Sequence, residues 1–145
     1  MIVKILVPLD GSQLAEQALP YAITLAQKFG AELLLARVLP PAVIGFKDNL
    51  ANSYTSQLYQ QWEREARCYL NTLQEKLVSI ALPVHIELLE GSPVAEMILE
   101  LAIDRKIDLI VMTTHGNSGN KRWVYGSVAN KVLESAPCSV FLVRG

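Results

Sequence analysis

Five short apolar runs, separated by stretches of helical period, constrain this chain more than any other feature. They are Ile2–Leu9, interrupted by Lys4, then Glu32–Leu39, Val84–Leu88, Asp108–Thr113 and Ser139–Arg144. Runs this short do not make helices of their own, and their branched residues favour buried strands. The third run differs from the rest. Val84-His-Ile-Glu-Leu88 alternates apolar with polar, the pattern of a half-exposed strand at a sheet edge.

The intervening segments read as helices. Ser12 is a good N-cap, and Ala15, Ala18, Leu19, Ala22, Ile23 and Ala26 follow at helical spacing to a stop at Gly30. Pro20 predicts a bend in that helix, because it removes one bond to the Glu16 carbonyl. Residues 42 to about 54 show no period and read as a loop, a candidate lid. Leu58, Trp62, Ala66, Leu70, Leu73 and Leu77 form one stripe of a long helix, read as a packing face. Ser92 reads as an N-cap with Pro93 at the first helical position, and Val94, Ile98, Leu101 and Ala102 form that helix's inner face. The last helix runs from Ser127, read as its N-cap, to Glu134, and Pro137 prevents its continuation.

Strand and helix alternate throughout, giving five strands and four helices in one domain, residues 1–145. Continuous apolar strands in that order predict a doubly wound, five-stranded parallel α/β sheet with helices on both faces, Rossmann-like. If strand one is central and strands two and three lie on one side of it, the order is 3-2-1-4-5. Ligands in such sheets sit beyond the carboxyl ends of the strands where the winding reverses. With strand one central, its neighbour across the reversal is strand four. The turns Pro8-Leu9-Asp10 and Met112-Thr113 then flank one crevice.

The second of these turns leads into Thr114-His-Gly116, then Gly126-Ser127 and a helix start. Glycines let the backbone approach a ligand closely. The first helical N–H groups lack partners and carry the positive end of the macrodipole. Together these make an anion site suited to phosphate. The backbone N–H groups of Gly116, Gly126 and Ser127, with the Ser127 hydroxyl, are the candidate donors. Asp10 has acceptor oxygens that suit a ribose hydroxyl or an amine, or it caps the first helix. Val38 and Met112 are placed to wall an adenine. Lys121 and Arg122 either meet outer phosphates or form a solvated loop pair. Trp123 and Tyr125 read as packing residues, and His115 as a turn residue that bonds backbone.

Other chemistries find less support. No Gly-Lys-Ser/Thr follows a glycine loop, and Asp10-Gly11-Ser12 lacks the three glycines of a dinucleotide site. His85 and His115 have too few partners at ligand spacing for a metal cluster. No serine or cysteine stands on a recognisable nucleophile elbow. A formal net charge of −1 gives no polyanion footprint, which argues against nucleic acid as a partner. Apolar runs are too short to span a membrane, and no signal-peptide pattern precedes the first strand. Cys68 and Cys138 read as small buried hydrophobes in a reducing compartment, so the expected location is cytoplasmic.

The chain resembles the single-domain universal stress proteins over essentially its whole length. The resemblance rests on Val7-Pro-Leu-Asp10-Gly-Ser12, Pro20-Tyr-Ala, Thr114-His-Gly116, Gly126-Ser-Val-Ala129 and Ala136-Pro-Cys138. ATP-binding members carry Gly, two residues, Gly, nine residues, then Gly-Ser/Thr. Gly116, nine intervening residues and Gly126-Ser127 match that spacing, while Thr113 occupies the first glycine position and Gly119 does not replace it. The resemblance implies a binder of ATP or AMP, with or without Mg2+, contacting Pro8, Asp10, Val38, Met112, Gly116, Gly126, Ser127 and Val128. Leu9 and Thr113 join these as neighbours in the same two turns. It further implies a homodimer through the last strand. Val140, Phe141, Leu142 and Val143 support this independently, being apolar on both faces of an expected edge. A slow ATP hydrolase and a dimerisation module that has lost its nucleotide are the alternatives.

Overall fold

The computed structural model describes residues 1–41, 49–115 and 126–145, with 49–55 described by backbone alone. Among these, the strands are β1 (Lys4–Leu9), β2 (Glu32–Leu39), β3 (Val84–Glu90), β4 (Leu109–Thr113) and β5 (Ser139–Val143). All neighbours pair in parallel, in the order β3-β2-β1-β4-β5, as the alternation predicted. The helices are α1 (Gln13–Glu16), α2 (Leu19–Phe29), α3 (Asn49–Lys76), α4 (Val94–Asp104) and α5 (Ser127–Ser135), with a 3₁₀ turn at Val78–Ile80.

Strand alternation divides the core into two layers. Ile5, Val7, Leu33, Leu35 and Val111 pack with α1, α2 and α3 on one face. Leu6, Ala36, Ile110 and Met112 pack with α4 and α5 on the other. The central strands are covered on both faces, which is why β4 is buried along its whole length. Full burial of each such Leu, Ile or Val side chain contributes about 1.5–3 kcal/mol. β3 is only partly covered, consistent with its alternating sequence at the edge. The Asp108 carboxylate accepts from the Val3 and Lys4 N–H groups at 2.9 Å, and those bonds hold its pKa below the usual value.

Several local expectations are corrected. The first helix breaks in two instead of bending. α1 closes through bonds from Gln17 and Ala18 N–H to the Leu14 and Ala15 carbonyls, and α2 restarts from Ala18. Pro20 therefore falls in the first turn of α2, where a missing N–H costs no hydrogen bond. α3 begins at Asn49, so residues 49–54 are helical and not loop; residues 42–48 lie outside the described residues. Helix propagates cheaply once its downstream turns are packed, and so needs no apolar period at its start. The α3 stripe is itself divided. Ala66, Leu70 and Leu73 are buried, but Leu58 and Trp62 are 37% and 47% exposed. At α4 the cap is Pro93, not Ser92, with no side-chain cap bond. At α5 the cap is Gly126, which moves Ser127 to the first helical position. Cys68 is exposed on α3 and Cys138 is half-buried, so only the second resembles the expected buried hydrophobe; burial pushes its thiol pKa up.

Candidate functional site

β1 and β4 lie side by side, paired at Ile5–Leu109 and Leu6–Ile110. Beyond β1 the chain turns through Asp10–Ser12 into α1, on the face opposite α4 and α5. The crevice expected between diverging connections is present as a cavity of about 310 Å3. Pro8, Leu9, Asp10, Val38, Met112, Thr113, Gly126, Ser127 and Val128 all line it. Gly116 lies outside the described residues, as do Gly119, Lys121, Arg122, Trp123 and Tyr125.

The sequence reading missed Ala15, Ala36, Val94, Ile98, Thr114 and Ala129, which also line the cavity. A signal existed for the alanines. Small residues at the carboxyl end of β2 and in the first turns of α1 and α5 leave room where a larger side chain would fill the crevice. Val94 and Ile98 carry no such mark, because an inner helical face reads the same over a core and over a cavity.

The turn after β1 is built from its own side chains. Asp10 Oδ1 accepts from both the N–H and the hydroxyl of Ser12. Ser12 Oγ in turn accepts from Ala15 N–H at 3.1 Å, making Ser12 the predicted N-cap. Asp10 thus orders the turn and is not itself the helix cap. Gly11 between them adopts φ +87°, which favours glycine. A Cβ there would stand 3.0 Å from Arg37 Nη1. Arg37 lies over the Tyr69 ring, 5.3 Å from its centroid. Burial first, and the charge of Glu16 second, push the Tyr69 hydroxyl pKa up.

The turn after β4 is built differently. The buried Thr113 hydroxyl donates to the His115 carbonyl at 2.8 Å. Thr114 N–H donates to the Val143 carbonyl, and the Thr114 carbonyl accepts from Gly126 N–H at 2.7 Å. That last bond changes an expected role: Gly126 N–H closes the loop onto β4 and is not a donor to phosphate. Gly126 has φ −55°, a conformation open to any residue, so no backbone strain demands glycine there. The first helical bond of α5 runs from Asn130 N–H to the Gly126 carbonyl. The N–H groups of Ser127, Val128 and Ala129 precede it and have no acceptor within the helix. They stand at the cavity wall with the positive end of the α5 dipole.

The two histidines differ in setting. His115 joins the second turn, with its ring Nδ1 at 3.0 Å from Thr114 Oγ1. His85 is exposed on β3, 3.6 Å from Glu32, at the opposite end of the strands. Among the described residues no group of three or more His, Cys, Asp or Glu could hold a metal ion. Nor, among them, is any helix long and apolar enough to cross a membrane.

The cavity is therefore mostly apolar, with a carboxylate and hydroxyls at the strand ends and, at one helix start, N–H groups without an acceptor inside the helix. The model of the universal stress protein family matches residues 1–144, and the chain belongs to that family. A universal stress protein of Thermus aquaticus is 36% identical, over 99% of this chain and 100% of its own length. Universal stress protein MJ0531 of Methanocaldococcus jannaschii is 34% identical, over 97% of this chain and 81% of its own. Among solved structures, universal stress protein UspA of Lactobacillus plantarum superposes with a TM-score of 0.85 at 27% identity, covering 98% and 97% of the two chains. The same fold at lower identity occurs in a universal stress protein solved with cAMP (TM-score 0.70, 21%; 99% and 97% covered). It occurs again in one from Arabidopsis thaliana solved with AMP (0.65, 14%; 98% and 91% covered).

Proposed function

We propose that the cavity at the carboxyl ends of β1 and β4 binds an adenine nucleotide, ATP or AMP, with or without Mg2+. The observation that carries this reading is one cavity bordered by apolar walls, acceptors at the strand ends and the open start of α5. Val38 and Met112 cover the base, Asp10 accepts from the ribose, and Ser127 and Val128 donate to phosphate. Gly116 belongs to the same proposal by its spacing from Gly126. The cAMP and AMP complexes of proteins with this fold support the ligand class.

The protein would act in the stress response as a cytoplasmic, homodimeric module whose contacts depend on the bound nucleotide. β5 supports the dimer as an edge strand. Phe141 is 39% exposed and meets Tyr21, itself 50% exposed, at 5.8 Å between ring centroids. Val140 and Leu142 are half-buried; Val143 is buried, so its contribution would be backbone only. Phe141→Lys should convert a dimer to a monomer in sedimentation. A wild-type monomer, or an unaltered dimer in the variant, would refute this edge as the interface.

Thermal unfolding with added nucleotide tests the binding. At 100 times Kd, a ligand of the folded state adds about 2.7 kcal/mol, and the melting temperature must rise with concentration. Gly126→Val should fold, since its φ is permitted, yet lose the response because Gly126 lines the cavity and a branched side chain there takes up ligand space. A flat wild-type response at millimolar AMP and ATP would overturn the proposal.

A further inference from the structure

Thr113 decides which kind of ligand group the strand end of the cavity can meet. A hydroxyl has one proton and two acceptor lone pairs. Thr113 commits that proton to the His115 carbonyl, 2.8 Å away, and the residue is only 6% exposed. Its rotor is thus held by a bond within the chain. What remains for the cavity is acceptor capacity. Phosphate oxygens would meet lone pairs there and gain nothing, whereas a ligand hydroxyl can donate.

The other side of the cavity has the opposite sign. With Gly126 N–H spent on the Thr114 carbonyl, the donors for an anion among the described residues are in the first turn of α5, at Ser127 and Val128. Met112, which precedes Thr113 in the chain, stands on the apolar wall. A nucleotide with its base on that wall and its phosphate on α5 brings its sugar to the end of β4. We infer that Thr113 is a specificity residue that accepts a hydrogen bond from a ribose hydroxyl, so that the site discriminates against nucleotides that lack that hydroxyl. This rests on the nucleotide reading above.

Calorimetric titration of the full chain with AMP, 2′-deoxy-AMP and 3′-deoxy-AMP tests it. Wild type should bind AMP about 2- to 10-fold more tightly than one of the deoxy forms, the range of a single hydrogen bond. Thr113→Val should lower that ratio by about 2- to 10-fold, leaving only the part that Asp10 contributes, and Thr113→Ser should keep it. The valine variant also loses the bond to His115, which shifts every affinity together; the ratio cancels that change. Should the valine variant fail to fold, Thr113→Ala supplies the same ratio. A preference unchanged by removal of the hydroxyl, or wild type that binds AMP without preference, overturns the role of Thr113 alone. Wild type that binds no AMP overturns the nucleotide reading and this inference with it.

Discussion

The two turns that border the cavity are held by different means. The turn after β1 is closed by its nearest neighbours in sequence: Asp10 takes both donors of Ser12, and Ser12 caps Ala15. The turn after β4 is held by distant backbone. Thr114 bonds Val143 on β5, and Gly126 returns across the loop to Thr114. A site with one wall locked locally and the other tied to an edge strand has unequal tolerance to change. Substitution in the first turn should damage a self-contained structure. The second should absorb the loss of a side chain, because its main-chain bonds persist.

Gly11→Val should have the largest effect on stability. It places a branched side chain at φ +87°, where such residues are true outliers, and directs its Cβ at the Arg37 guanidinium. Backbone strain of this kind costs about 1–3 kcal/mol, measurable by urea denaturation. A second substitution, Arg37→Ala, separates the causes: it relieves the steric part and leaves the strain. No loss in the single variant would show that the first turn is not locked in this conformation. Full recovery in the double variant would assign the loss to crowding alone.

The same contrast explains what could be read from the residues in advance. Ser12 as a cap and Asp10-Gly11-Ser12 as a turn are local chemistry, visible in consecutive letters. So are the apolar runs, whose burial on both faces specifies a parallel sheet before any contact is known. The bond from Gly126 N–H to the Thr114 carbonyl spans residues whose sequence carries no sign of it, and the α5 cap stands at Gly126 and not at Ser127. The split of the first helix had a similar origin. Pro20 announced a disturbance, but whether it bends a helix or opens one depends on how Ala15 and Ala18 pack. Leu58 and Trp62 continue a stripe that the sheet no longer covers, and helical period cannot tell where a neighbouring layer ends.

Thr114→Val probes the second turn and should have the smaller effect. Thr114 is buried, and its hydroxyl oxygen accepts from Gly145 N–H at a long 3.4 Å while meeting His115 Nδ1. Valine has nearly the same shape, so packing is preserved and the loss is confined to those side-chain bonds. One of them is long, which limits the expected destabilisation to about 1 kcal/mol by urea denaturation. The main-chain bonds to Val143 and Gly126 do not involve the hydroxyl, so nucleotide affinity should change less than in Gly126→Val. If Thr114→Val instead unfolds the protein or abolishes binding, the second turn is held by its side chain, and the contrast with the first turn is lost.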